Sequence, residues 1–103
     1  MSEFVDVLSA DDVPNGTTKA VTVAGKSVLI CHSAGVLYAV GNMCTHAAAP
    51  LEGGKCRGHY IFCPLHGARF DLRDGSTAGA LTKEPIPVYE VKAEAGRIWV
   101  RPA

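Results

Sequence analysis

The sequence predicts an all-β fold, a base of antiparallel strands drawn from both ends of the chain with a glycine-rich segment inserted between them. Three observations carry this expectation. Short apolar and β-branched runs at the two ends are separated by Ala-Gly dipeptides, no amphipathic stretch extends over more than a few helical turns, and the middle of the chain loses regular apolar periodicity.

The elements follow in chain order. Residues 4–8 begin with alternating apolar and polar side chains and read as a strand. Ser9-Ala10-Asp11-Asp12 then has the composition of a capping box, which opens one turn of helix that Pro14 ends. Residues 19–23 and 26–31 flank Ala24-Gly25 and read as a hairpin. Residues 36–40 follow Ser33-Ala34-Gly35, a turn of the same composition, so a three-strand meander is expected. Near the end, residues 88–92 and 97–101 flank Glu94-Ala95-Gly96, with Ile98 and Val100 facing one way and Trp99 the other. Between these groups glycine is dense, at positions 41, 53, 54, 58, 67, 75 and 79. Flexible backbone is costly to order, and this segment is expected to have little core packing of its own and to need something more to hold its shape.

Length and charge bound the function. A chain of 103 residues supports one modest core, hence a single domain over 1–103. Ten basic residues balance ten acidic ones and no like-charge run exceeds two residues, so neither nucleic acid nor an anionic membrane is an expected partner. The N-terminus lacks the basic and apolar regions of a secretory signal, and no apolar stretch approaches the roughly 20 residues that span a bilayer. The expected compartment is the cytoplasm. In that reducing setting four cysteines point to metal binding before disulfides.

Two short loops in the glycine-rich segment each offer one thiolate and one imidazole. Cys44-Thr45-His46 is followed, after sixteen intervening residues, by Cys63-Pro64-Leu65-His66. Two metal readings compete. Tetrahedral zinc accepts two cysteines and two histidines, but zinc fingers group like ligands in each half. A [2Fe–2S] cluster with two cysteines on one iron and two histidines on the other asks each loop to serve both irons, and the mixed order fits that demand.

These loops resemble the C-x-H and C-x-x-H-G motifs of the Rieske family. The similarity continues through Ala68-Arg69-Phe70-Asp71, Asp74-Gly75, Glu84-Pro85-Ile86-Pro87-Val88-Tyr89 and Gly96-Arg97-Ile98-Trp99-Val100, which is nearly the whole chain. The resemblance implies a Rieske fold with a cluster-binding subdomain at about 42–70. It also implies one [2Fe–2S] cluster held by Cys44, His46, Cys63 and His66. Respiratory and photosynthetic members have a membrane anchor and a bridging cysteine pair, and the corresponding positions here are Ala49 and Leu65. Those high-potential members also carry a serine and a tyrosine where this chain has Ala68 and Phe70. Fewer hydrogen bonds to sulfur lower the potential, so a value near −150 mV rather than +300 mV is expected, roughly the low end of the Rieske range.

The sequence is thus similar to the ferredoxins of bacterial aromatic-ring dioxygenase systems. In such a system a flavoprotein ferredoxin reductase draws electrons from a nicotinamide cofactor, the ferredoxin carries one at a time, and a terminal Rieske oxygenase consumes them. The expected role is electron transfer without catalysis, since no nucleophile with a positioned base is evident. The alternatives are a small Rieske-like subunit of a nitrite reductase and a zinc-stabilised interaction module.

The remaining chemistry-bearing residues have plainer readings. Cys31 ends an apolar strand and is expected in the core, and Cys56 is a bystander outside both motifs; a Cys31–Cys56 disulfide is the alternative, against which the reducing compartment argues. His32 and His59 read as surface or turn histidines, and Trp99 as a packing residue rather than an electron relay. Arg57, Arg69 and Arg73 are scattered, with Asp71 and Asp74 at hand to pair with them. Gly79-Ala80-Leu81 lacks the prolines that many relatives place over the cluster.

Overall fold

Three Ala-Gly dipeptides punctuate the base of the molecule. In the computed structural model, which describes residues 3–44, 49–64, 68–77 and 84–101, Ala24, Ala34 and Ala95 all have φ near +50° and each is followed by a glycine with φ near +78°. Two consecutive left-handed residues match the twist of a two-residue hairpin turn. The strands they join are β2 (Thr17–Val23) with β3 (Lys26–Ser33), β3 with β4 (Val36–Gly41), and β10 (Val88–Glu94) with β11 (Arg97–Arg101). The hairpin and meander expected from the sequence are therefore present.

β1 (Val5–Ser9) pairs with β11, and β10 pairs with β4, giving an antiparallel six-stranded sheet in the order β1-β11-β10-β4-β3-β2. Its two edge strands approach one another, so the sheet curls. A single 3-10 turn, Ala10–Asp12, follows β1. The Ser9 hydroxyl accepts the Asp11 N–H and the Asp12 carboxylate accepts the Ser9 N–H, as the capping-box composition foretold.

The contiguous apolar run in β3 reflects burial on both faces. Val28 and Ile30 pack inside the curl with Leu8, Val13, Val23, Ala39, Ile98 and Val100. Leu29 and Cys31 point the other way, into a second core with Val40, Leu51, Ile61, Cys63, Ala68, Phe70, Leu72 and Ile86. Alternation is hidden because each parity of the strand has its own core. Trp99 lies opposite Ile98 and Val100 and is only partly buried.

The second core corrects an expectation. The glycine-rich segment was expected to have little packing of its own, yet Leu51, Ile61, Phe70 and Leu72 are essentially inaccessible. Their spacing is irregular because they come from strands of two or three residues: β5 (Met43–Cys44) with β6 (Ala49–Pro50), and β7 (Lys55–Arg57), β8 (Tyr60–Phe62) and β9 (Arg69–Asp71) in a three-stranded sheet. His32 is a second correction. It lies within β3, partly buried, and its Nδ1 is 2.8 Å from the Val13 carbonyl to which it donates.

Candidate metal centre

The first motif begins where β4 ends. Gly41 N–H bonds to the Pro87 carbonyl, and Asn42 turns the chain into β5. Asn42 is 8 % exposed and fully partnered. Its N–H donates to the Ser27 carbonyl (3.1 Å) and its side-chain amide to the Ser27 hydroxyl (3.1 Å). Its carbonyl oxygen accepts the Leu51 N–H (2.7 Å), and its side-chain oxygen accepts the Glu52 N–H (2.9 Å). One residue thus fixes both ends of the Cys44 loop to the base. Cys44 pairs with Ala49 across β5 and β6, and the Glu52 carboxylate reaches back to the Ala20 N–H of β2 (3.0 Å). Sequence reasoning missed Asn42, since nothing in its spacing distinguishes it from an exposed turn residue.

The second motif leaves β8 and returns to β9. Cys63 is a free thiol, 2 % exposed, and its N–H donates to the Ala68 carbonyl at 2.7 Å, closing the loop between them. Gly54 sits against this entry. A Cβ there would strike the Phe62 carbonyl oxygen, so only glycine allows the Gly53-Gly54 turn to pack onto the strand that delivers Cys63. Among the described residues, Gly53, Gly54, Lys55, Arg57, Phe62, Cys63 and Pro64 bound an open cavity of about 560 Å³. Lys55 and Arg57 give its mouth positive charge. The Arg69 guanidinium stands 5.2 Å from the centre of the Tyr60 ring and 6.0 Å from that of Phe62.

Behind Cys63, β9 is anchored by charge and by main chain. Arg73 pairs with Asp71 through Nη2–Oδ2 at 2.8 Å and Nε–Oδ1 at 3.1 Å, as the plain reading of these residues anticipated. The Arg73 guanidinium, helped by the Arg73 N–H and by His59 at 3.8 Å, lowers the Asp71 carboxyl to about 2 despite its burial. Asp71 N–H bonds to Ser76 and Phe70 bridges Thr77. His59 lies in the β7–β8 turn, as expected, and its carbonyl accepts the Leu72 N–H.

His46, His66 and Leu65, along with residues 79–81, lie outside the described residues, as does the Cys44 side chain. Among the described residues no group of three or more His, Cys, Asp or Glu side chains gathers as a metal site. The fit to a cluster therefore rests on donor chemistry and on Cys63. Two thiolates and two imidazoles are what a [2Fe–2S] group with unlike irons takes, and Cys63 offers a buried, unbridged thiol beside an open cavity. The residues present fit the group.

Comparison with known proteins gives the same chemistry. The sequence profile of the Rieske [2Fe-2S] domain matches residues 3–90. The ferredoxin component of a naphthalene 1,2-dioxygenase system from Pseudomonas aeruginosa is 36% identical over 95% of this chain and 94% of its own. The ferredoxin of carbazole 1,9a-dioxygenase from Nocardioides aromaticivorans IC177 superposes with a TM-score of 0.90 at 32% identity, over 97% of this chain and 98% of that one. A chain in a complex of reduced oxygenase and oxidized ferredoxin of carbazole 1,9a-dioxygenase is 30% identical, with a TM-score of 0.86, covering 95% of this chain and 92% of its own. No helix among the described residues is long and apolar enough to cross a membrane. With the profile spanning the two loops and the surrounding sheet, the chain belongs to the Rieske [2Fe-2S] domain family, whose members carry one such cluster.

Proposed function

We propose that this chain is the ferredoxin of an aromatic-ring dioxygenase system, a cytoplasmic one-electron carrier between an NAD(P)H-dependent flavoprotein reductase and a terminal Rieske oxygenase. The observation that supports it most is likeness over almost the full length of proteins named as ferredoxin components. The oxygenase partner is supported by the likeness to a ferredoxin found in complex with its oxygenase, and the reductase by the multicomponent systems those names describe.

In this reading Cys44 and Cys63 hold one iron and His46 and His66 the other, within one unit spanning 1–103 whose cluster-bearing part is about 42–70. The bound group supplies a one-electron couple. The chain's own residues set its surroundings. Asn42 fixes the first loop, the Cys63–Ala68 bond closes the second, and Ala68 and Phe70, buried in the same core as Cys63, contribute apolar atoms and no hydroxyl of their own. Lys55 and Arg57 at the cavity mouth suit an acidic rim on a partner.

Spectroscopy of the purified protein tests the ligation. Reduced protein should give an EPR signal with a lower average g value than an all-cysteine cluster, and His46→Cys or His66→Cys should abolish or convert it. A colourless protein holding one zinc ion would end the proposal. Reconstitution tests the partners: with a flavoprotein reductase and a terminal oxygenase of this class, product formation should depend on the ferredoxin. Cluster-loaded protein that any such pair ignores would overturn the assignment to dioxygenase systems while leaving the carrier role intact.

A further inference from the structure

Cys31 and Cys56 take no part in the cluster motifs, yet the fold brings them together. Cys31 lies on β3, wholly buried in the second core, and Cys56 lies on β7, half-buried against the same core. β3 belongs to the base and β7 to the sheet that delivers Cys63, and the two strands pack on one another. Both thiols are free, and they lie close enough to share a hydrogen bond. The pair is asymmetric. Solvent reaches Cys56 and not Cys31.

We propose that Cys31 and Cys56 form a reversible dithiol–disulfide pair, attacked first at Cys56, which under oxidising conditions staples the base sheet to the sheet that carries Cys63. The hydrogen bond from Cys31 lowers the pKa of Cys56 against the opposing effect of its burial, while that bond, burial and the Cys56 charge all raise Cys31. Because solvent reaches Cys56 and not Cys31, Cys56 is the nucleophile and Cys31 the resolving thiol. With a low-molecular-weight disulfide as oxidant, the Cys56 thiolate attacks one of its sulfurs, forming a mixed disulfide and releasing one small thiolate. Cys31 then gives up its proton and attacks the Cys56 sulfur, forming the Cys31–Cys56 bond and releasing the second small thiol. The two protein thiols lose two hydrogens and the oxidant gains them. The Cys44 and Cys63 thiols stay committed to the cluster, so the staple and the cluster use separate cysteines.

The test uses cluster-loaded protein incubated with glutathione disulfide, quenched in acid with a thiol-blocking reagent, and read by intact mass and non-reducing peptide mapping. Wild type should lose two hydrogens and yield a linked Cys31–Cys56 peptide, with a glutathione adduct at Cys56 appearing earlier in the time course. Cys31→Ser, or Cys31→Ala if the serine does not fold, should stop at the Cys56 adduct, and Cys56→Ser should give neither product. A stable Cys56 adduct on wild type, or linkage only to Cys44 or Cys63, would overturn the pair. Bridged protein should also lose its visible cluster absorbance to a chelator several-fold more slowly than reduced protein. Equal rates would overturn the staple role even with the bridge formed, and neither result depends on which proteins the carrier serves.

Discussion

The side-chain oxygen of Asn42 accepts the main-chain N–H of Glu52 at 2.9 Å, so a residue entering the first cluster loop holds the residue leaving it. Its amide nitrogen is committed to Ser27 at 3.1 Å. Asn42→Ala strands both partners in a nearly buried site and should cost about 1–3 kcal/mol of stability. Asn42→Asp keeps the acceptor and lets the Ser27 hydroxyl donate, so it should cost clearly less. Denaturant unfolding of the two variants checks this order, and equal losses would contradict it.

The three Ala-Gly turns hold alanine where φ is positive, a conformation that asparagine and glycine adopt with less strain. Ala24→Asn, Ala34→Asn and Ala95→Asn should each stabilise the protein by about 0.5–1 kcal/mol. Thermal unfolding would show the gain as a higher midpoint. A lower midpoint for all three would mean that the turns are not built as described.

The Asp71 carboxyl is held near 2, below its ordinary 3.8, chiefly by Arg73. A depressed carboxylate stabilises the fold above its unfolded value and loses that contribution as pH falls toward the folded one. The effect is at most about 2 kcal/mol, because the outer side of Arg73 is open to solvent. Asp71→Asn should therefore be less stable than wild type at pH 6 and converge with it between about pH 4 and 2. A difference that persists unchanged at the acid end would assign the loss to packing instead.

Ala68 and Phe70 are both buried and neither can donate a hydroxyl hydrogen bond. The potential should lie near the low end of the Rieske range, about −150 mV. Ala68→Ser and Phe70→Tyr should each raise it by tens of millivolts, through one new hydrogen bond of about 1 kcal/mol that favours the reduced state. Voltammetry reads the shift directly. A wild-type potential well above zero, or no change from either donor, would remove the physical basis for the low-potential assignment.

Much of the base was legible because its signals are local. Ala24-Gly25, Ala34-Gly35 and Ala95-Gly96 mark their own turns, and Ser9 with Asp12 marks its own cap. The second core was not legible. Leu51, Ile61, Phe70, Leu72 and Ile86 lie on strands too short to show a period or on the chain between them, and what unites them is the outer face of β3 and β4. Asn42 escaped notice because its partners, Ser27 and Glu52, are defined only once the chain has folded. A Cys31–Cys56 bridge is open from the sequence as an alternative, but what brings the two strands together, the packing of one sheet on another, shows only in the fold. The four motif residues stand out by spacing alone, and their roles rest on the proposed ligation.

The double burial of β3 also governs how the molecule opens. This strand is hydrogen-bonded on both flanks, to β2 and β4, and supplies side chains to both cores. Its amides have no route to solvent through fraying of an edge or lifting of one layer, so their deuterium exchange should proceed only by global unfolding. The two cores then share one melting event, and the strands that lead to Cys44 and Cys63 rest on a strand that cannot open alone.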